Sequence, residues 1–314
     1  MSDRNTQHYF FEAVFRKLNE AGLKYVVLHS WQSLPDVATS DVDMLIDEGD
    51  KLRLEPLLKR VARETGWRYV NKLWYDVPWC FYFVFVSPKG EESVALDFIS
   101  DPNGIGEYRI KNEQILSNRE FDGFLWHLTT ESELAYKLAK RLVKGVFKEE
   151  DFEFVRSYYA QSDKKVLKIR MSELMSESVV SWLMSLMGRD DVNRADFEGF
   201  MRSMSPAFKF FGRRWRISFN PKWWLLQVKR IVHRMKYPTG YVLYVSNEEA
   251  VAEFPKFVFR RKKILPVIEL TKSREKRALS SSTLLLVVNP EAKKSISNVE
   301  ARDNVLEVMS RRWA

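Results

Sequence analysis

Leu28-His-Ser-Trp-Gln-Ser-Leu-Pro-Asp-Val-Ala-Thr-Ser-Asp-Val-Asp-Met-Leu-Ile46 decides the reading of this chain. It starts inside a β-rich run, Lys24-Tyr-Val-Val-Leu-His29, and crosses a loop holding Pro35. It closes on a second short strand, Asp41-Val-Asp-Met-Leu-Ile46. Asp41 and Asp43 stand two apart at the head of that strand, so their side chains leave the same face. Their α-carbons are expected roughly 6–7 Å apart, near enough for the carboxylates to share a divalent cation. Without a cation they repel, and at least one tends to protonate. A third acid sits on a later strand, Val94-Ala-Leu-Asp97-Phe-Ile99, with apolar neighbours on both sides. A charge there is costly unless a metal or a partner neutralises it.

The flanking sequence gives this strand pair its setting. Phe10, Val14, Leu18 and Ala21 recur at helical spacing and predict a helix over 6–21, ended by Gly22. Leu54, Leu57, Leu58 and Val61 predict another within 50–65, stopped by Gly66; Pro56 suits only a first turn, which moves the expected start towards residue 55. Strands are expected around 67–73, 78–86 and 92–99, the last two joined by a turn at Ser87-Pro-Lys-Gly90. Helix, strand, strand, helix and then a run of strands imply a mixed sheet, not a doubly wound parallel one. From about 130 to 236 the pattern is helical, with candidates at 131–145, 150–160 and 171–187. Tyr237-Pro-Thr-Gly240 breaks it. Strands at 241–245 and 283–288 and a helix at 298–312 follow. The expected class is α+β, with a mixed-sheet domain over 1–128, a basic helical domain over 129–237 and a small α/β tail over 238–314.

Composition narrows the function classes. The single cysteine, Cys80, cannot form an intramolecular disulfide, and histidines at 8, 29, 127 and 233 are too scattered for a zinc cluster. No apolar run reaches membrane-spanning length and the first residues lack a signal peptide's apolar region, so a cytosolic-side protein is expected. The net charge of +9 is uneven: residues 1–130 carry 15 basic and 20 acidic residues, the remainder 36 and 22. That split points to an acidic, metal-binding front and a back facing something anionic.

Three carboxylates from two strands, preceded by a strand-to-loop turn bearing a serine, resemble the nucleotidyltransferase superfamily related to DNA polymerase beta. That family's pattern is Gly-Ser, about ten residues, Asp-x-Asp on a strand, and a lone Asp on a later strand. Here Ser30 is followed by ten residues and then Asp41-Val-Asp43, with Asp97 a further 54 positions on. The resemblance covers roughly residues 6–100, and His29 stands where the family usually has glycine, the residue that lets backbone approach phosphates closely. It implies that Asp41, Asp43 and Asp97 hold Mg²⁺, with Asp97 helping to deprotonate the acceptor. Ser30 is implied to bind the terminal phosphates of a nucleoside triphosphate, whose nucleoside monophosphate passes to an acceptor. Surface-polysaccharide metabolism is one implied setting; addition of a nucleotide to RNA or protein is another. A non-catalytic binding module is the alternative from a different class. Lys229 to Val245 also resembles the linker that joins such domains to thymidylate-kinase-like domains in bacterial surface-polysaccharide loci. Here Ser246-Asn-Glu-Glu-Ala replaces the phosphate loop, which implies a shortened, kinase-dead tail.

Two basic features complete the candidates. Lys137, Lys140 and Lys144 form a stripe on the helix over 131–145 that can meet a triphosphate or an anionic acceptor, or be a solvated face. From Gly199 to Asn247 there is no acid and there are ten Lys or Arg, interleaved with aromatics. Trp223, Trp224, Lys229, Arg230 and Arg234 lie in its amphipathic part. That part packs in the helical core, docks on an anionic membrane, or binds nucleic acid; this is the order of preference.

Overall fold

The computed structural model describes residues 6–36, 38, 41–74, 80–89, 92–100 and 112–209, seven residues between 221 and 232, and strands at 241–245, 267–269 and 284–288. Apolar periodicity builds the first layer. Helix α1 (Thr6–Glu20) buries Phe10, Phe11, Val14, Phe15 and Leu18, each side chain contributing about 1.5–3 kcal/mol against exposure. Helix α2 (Lys51–Thr65) buries Leu54, Leu58, Val61 and Ala62. It begins at Lys51, earlier than Pro56 predicts, and carries that proline inside its second turn. Pro56 is exposed, so the carbonyl it leaves without a backbone donor lies on the solvent side while the opposite face packs.

The sheet runs β3 (Arg68–Trp74), β4 (Cys80–Val86), β5 (Ser93–Ile99), β2 (Val42–Ile46), β1 (Tyr25–Val27), β7 (Trp126–Leu128), β6 (Arg119–Phe121). It is mixed: β2 is parallel to β5 and β1 to β7, while β1–β2, β3–β4, β4–β5 and β6–β7 are antiparallel. Side-chain alternation divides its two faces. Val27, Met44, Ile46, Phe83, Phe85, Leu96 and Phe98 meet α1 and α2. Val26, Leu45, Cys80 and Ile99 join the core of the helical part. Asp43 and Asp97 share the parity of Leu45 and Ile99, so they lie on the helical side.

That side is roofed by α3 (Asn112–Ser117) and α4 (Thr130–Lys144), followed by α5 (Glu149–Gln161), α6 (Lys164–Leu174), α7 (Glu177–Met187) and α8 (Arg194–Lys209). Thr129 caps α4 by accepting the Ser132 N–H. Gly145 ends α4 at φ 68°, where a Cβ would fall 2.8 Å from Ser205 Cβ and Oγ. The helix expected over 171–187 is two helices: Met175 turns extended (φ −133°) to bury its side chain, and Ser176 stands at the N-cap of α7. Helix α8 falls within the stretch expected to be helical, while α3, β6 and β7 have no counterpart among the expected elements.

In the tail, β8 (Tyr241–Val245), β10 (Leu284–Val288) and β9 (Val267–Glu269) form a parallel three-stranded sheet in that order. The helix expected over 298–312 lies outside the described residues. Among the described residues no helix is long and apolar enough to cross a membrane.

Candidate active site

Asp43 and Asp97 are register partners on the parallel neighbours β2 and β5. Strand alternation puts both on the face beneath α4. Asp43 is 9% exposed and its Oδ2 takes two donors: His29 Nε2 at 2.7 Å and Lys140 Nζ at 2.6 Å. Burial by itself would raise the Asp43 carboxyl, but the His29 hydrogen bond and the Lys140 charge outweigh it and hold Asp43 well below the usual carboxylate range. Asp97 goes the other way. Burial first, then repulsion from the Asp43 carboxylate, push it up to about 7, although the Cys80 thiol donates to its Oδ1 at 3.2 Å. Burial and the facing Asp97 in turn raise the Cys80 thiol, so it stays protonated and serves as a donor. Asp41 is partly exposed at the head of β2 and adds to the negative potential felt by Asp97.

Ser30 follows β1 in a left-handed turn, at φ 58°. β1 pairs directly with β2, and the Leu28 N–H donates to the Asp43 carbonyl at 2.9 Å, which sets His29 and Ser30 beside Asp43. His29 donates through Nε2, leaving Nδ1 3.2 Å from Ser30 Oγ. The Ser30 backbone N–H, expected at a phosphate, donates instead to Glu133 Oε1 at 3.2 Å. Glu133, from the first turns of α4, also accepts from Trp31 Nε1 at 3.1 Å and from the Tyr158 hydroxyl at 3.0 Å. Trp31 stacks on His127, ring centroids 3.6 Å apart. An internal carboxylate thus anchors the loop that carries Ser30.

The lysine stripe divides. Lys140 enters the site, two turns after Glu133 on the same face of α4. Lys137 turns to Asp151, 3.5 Å away, and lies over the Phe154 ring. Lys144 is exposed near the end of α4. Of the basic segment, Trp224 and Lys229 are helical and exposed, in company with exposed Leu225, Val228, Ile231 and Val232. Trp223, Arg230 and Arg234 lie outside the described residues.

Pattern reasoning missed Glu133, Cys80 and Tyr158 as members of the site. Glu133 carried one signal: an acid seven residues before Lys140, on the same helical face. A cleft of about 460 Å³ opens on the other face of the sheet, between α2 and the rings of Phe81, Phe83 and Phe98, away from the carboxylates.

The resemblance implies Mg²⁺ at Asp41, Asp43 and Asp97, and carboxylate oxygens suit that ion. As placed, the donors do not converge on one. Asp43 Oδ2 faces Lys140 and His29, Asp97 Oδ1 faces a thiol, and among the described residues no group of three or more His, Cys, Asp or Glu side chains is arranged to hold a metal. The cation that touches Asp43 is the Lys140 ammonium.

No protein-family description matches the chain, and no curated protein does. Two solved structures are similar to it. One is JHP933 from Helicobacter pylori, 12% identical with a TM-score of 0.35, covering 75% of this chain and 99% of that one. The other, also from H. pylori, carries the provisional designation nucleotidyltransferase; it is 12% identical with a TM-score of 0.34, covering 67% of this chain and 96% of that one. Identity and superposition at this level assign no activity.

Proposed function

We propose that the cleft between the His29–Ser30 turn, the β2–β5 strand pair and α4 is the centre of a nucleotidyltransferase-like protein. It takes a nucleoside triphosphate, and an acceptor hydroxyl attacks the α-phosphorus. The bond from that phosphorus to the pyrophosphate oxygen breaks, pyrophosphate leaves with the electron pair, and the hydroxyl proton passes to Asp97. One observation carries the reading: Asp43 and Asp97 lie side by side on parallel strands, with Lys140 bound to the first. Paired carboxylates whose proton affinities are driven apart supply one permanent anion and one base near neutral pH. Asp43 keeps its charge and orients Lys140 and His29. Those two groups and the Ser30 hydroxyl can meet phosphate oxygens. The acceptor hydroxyl can belong to a surface-polysaccharide precursor, as the resemblance implies, or to RNA or protein.

The test is pyrophosphate release from each of the four ribonucleoside triphosphates, with and without Mg²⁺ and with candidate acceptors. Loss of release in Asp97→Asn and Asp43→Asn, with circular dichroism unchanged, supports the reading. Equal release from wild type and both variants sinks it.

A second reading is a binding module without turnover. Its support is that Lys140, His29 and Glu133 already satisfy Asp43 and the Ser30 N–H from within the chain. Exposed Trp224, Leu225, Val228, Ile231 and Val232 beside Lys229 give it a surface suited to an anionic bilayer. Flotation with anionic liposomes tests it. Substituting Gln for Lys229, Arg230 and Arg234 is expected to remove binding; equal flotation of both proteins rules the surface out.

A further inference from the structure

We propose that the carboxylate pair carries a built-in counter-ion, the Lys140 ammonium, and that Asp43 accepts no divalent cation while that lysine is in place. The claim concerns what neutralises the site and does not rest on the transferase reading.

The geometry is one of exclusion. Lys140 Nζ lies 2.6 Å from Asp43 Oδ2, and His29 Nε2 lies 2.7 Å from the same atom. Mg²⁺ bound to that oxygen sits about 2.1 Å away, within the volume the ammonium and imidazole already fill. The lysine's backbone cannot withdraw. Thr129 caps the start of α4, Gly145 closes its end, and Leu138, Ala139 and Leu142 bury the helix on either side of residue 140. Only the side chain can swing, and the buried acid that α5 sets against this helix, Asp151, is already faced by Lys137 and Arg141. A displaced ammonium therefore stays close to the incoming ion and repels it.

Charge leads to the same conclusion. With Lys140 present, one ammonium answers the ionised Asp43. Without it, Asp43 keeps the His29 hydrogen bond but loses its ammonium, and with Asp97 on the next strand it presents carboxylate oxygens of the kind that hard cations seek. Lysine and divalent cation are alternatives at one position, and this chain has taken the lysine.

Mn²⁺ tests the claim, with free Mn²⁺ followed by electron paramagnetic resonance on the full chain. Wild type is expected to show no stoichiometric site that depends on Asp43. Lys140→Met is expected to gain one at least about tenfold tighter than any wild-type binding, and adding Asp43→Asn to Lys140→Met is expected to remove it. Thermal unfolding gives a second readout. The Tm of Lys140→Met should fall below wild type in chelator and recover by about 5 °C or more in saturating Mn²⁺, while wild type does not move. One Mn²⁺ bound by wild type and lost in Asp43→Asn overturns the proposal, as does a folded Lys140→Met that gains no site. The wild-type arm needs no variant to fold. Nucleotide turnover is not read, so failure of the transferase reading leaves the result intact.

Discussion

Asp43 and Asp151 are both buried acids facing cations of α4, 2.6 Å from Lys140 and 2.7 Å from Arg141. Asp151 is fully enclosed. Two cations, Arg141 and Lys137, address one oxygen, and the Lys148 N–H donates to the other at 2.9 Å, closing the start of α5. Asp43 has one lysine, one histidine and a second carboxylate in register on the next strand. The first arrangement is a clamp between two helices. The second holds an unresolved conflict, because Asp97 cannot ionise cheaply beside Asp43. Burial and an ion pair are therefore not the mark of a reactive site. The mark is a neighbouring group whose proton affinity has been moved towards the working pH.

The largest expected difference between the two acids is in turnover. Asp97→Asn keeps the shape and removes the group proposed as the base, and on that reading pyrophosphate release is expected to fall by about 10²–10⁴. Asp151→Asn is expected to leave kcat of the folded fraction unchanged. If the two variants lose turnover equally at equal folded fraction, the distinction between the two acids fails.

The pH dependence sharpens the same point. Asp97 sits at about 7 in the folded chain against 3.8 for an ordinary aspartate. On the proposed reading release climbs as pH rises through about 7, because the ionised carboxylate is the form that can take the proton. Stability runs in the opposite direction. Between those two values the folded chain holds a proton that the unfolded chain has lost. Asp97's contribution is thus full on the acid side of the window and drains away as pH rises through about 7. Asp43, held low, contributes above the ordinary carboxylate range and loses that contribution only under stronger acid. Urea unfolding of wild type and Asp97→Asn from pH 5 to 8 checks the sign: the gap should move in favour of Asn as pH rises.

Next in size is stability at the clamp. Asp151→Asn leaves Arg141 and Lys137 without their anion, at side-chain exposures of 15% and 14%. A loss of about 3–5 kcal/mol is expected in urea unfolding. A loss below about 1 kcal/mol would mean that the clamp is ornamental.

Much of the sheet site was legible in the chain, and the reason is local. Asp97 announces itself by an acid's cost inside an apolar strand run, Asp41 and Asp43 by their spacing of two at the head of a strand, and strand alternation sets the face of Asp43 and Asp97. The pairing of Asp43 with Asp97 follows once β2 and β5 are neighbours. What the chain concealed is whatever depends on a third element. Lys137 and Lys140 look interchangeable on a helical wheel. They are separated by Asp151, which α5 brings under Lys137 and away from Lys140. Cys80 reads as an apolar residue at a strand edge until β4 pairs with β5 and places its thiol on Asp97. Arg119-Glu-Phe121 and Trp126-His-Leu128 are three residues each, too short for alternation to register. Met175 ends a helix with extended backbone and a side chain buried in the core, and no Gly or Pro marks the break.

The smallest effect concerns the loop that carries His29 and Ser30, and it separates an anchored loop from a site assembled only by Asp43. Glu133 is 1% exposed and accepts three hydrogen bonds, from the Ser30 N–H, the Trp31 indole and the Tyr158 hydroxyl. Burial raises its carboxyl, and those donors pull it back. Glu133→Gln keeps the volume but turns one acceptor oxygen into a donor. Oε1 meets the Ser30 N–H and Oε2 meets the indole, so either orientation of the amide sets a donor against a donor. The Tyr158 hydroxyl can rotate to accept; the backbone and indole N–H groups cannot. One hydrogen bond to a charged acceptor is lost and its buried donor is left unpaired, a cost of about 1–3 kcal/mol. Because His29 and Ser30 move with that loop, KM for the nucleotide should rise severalfold while the pH midpoint set by Asp97 stays at about 7. A midpoint that shifts with this substitution would show that Glu133 belongs to the electrostatics of the carboxylate pair, and the boundary between anchor and reactive centre would have to be redrawn.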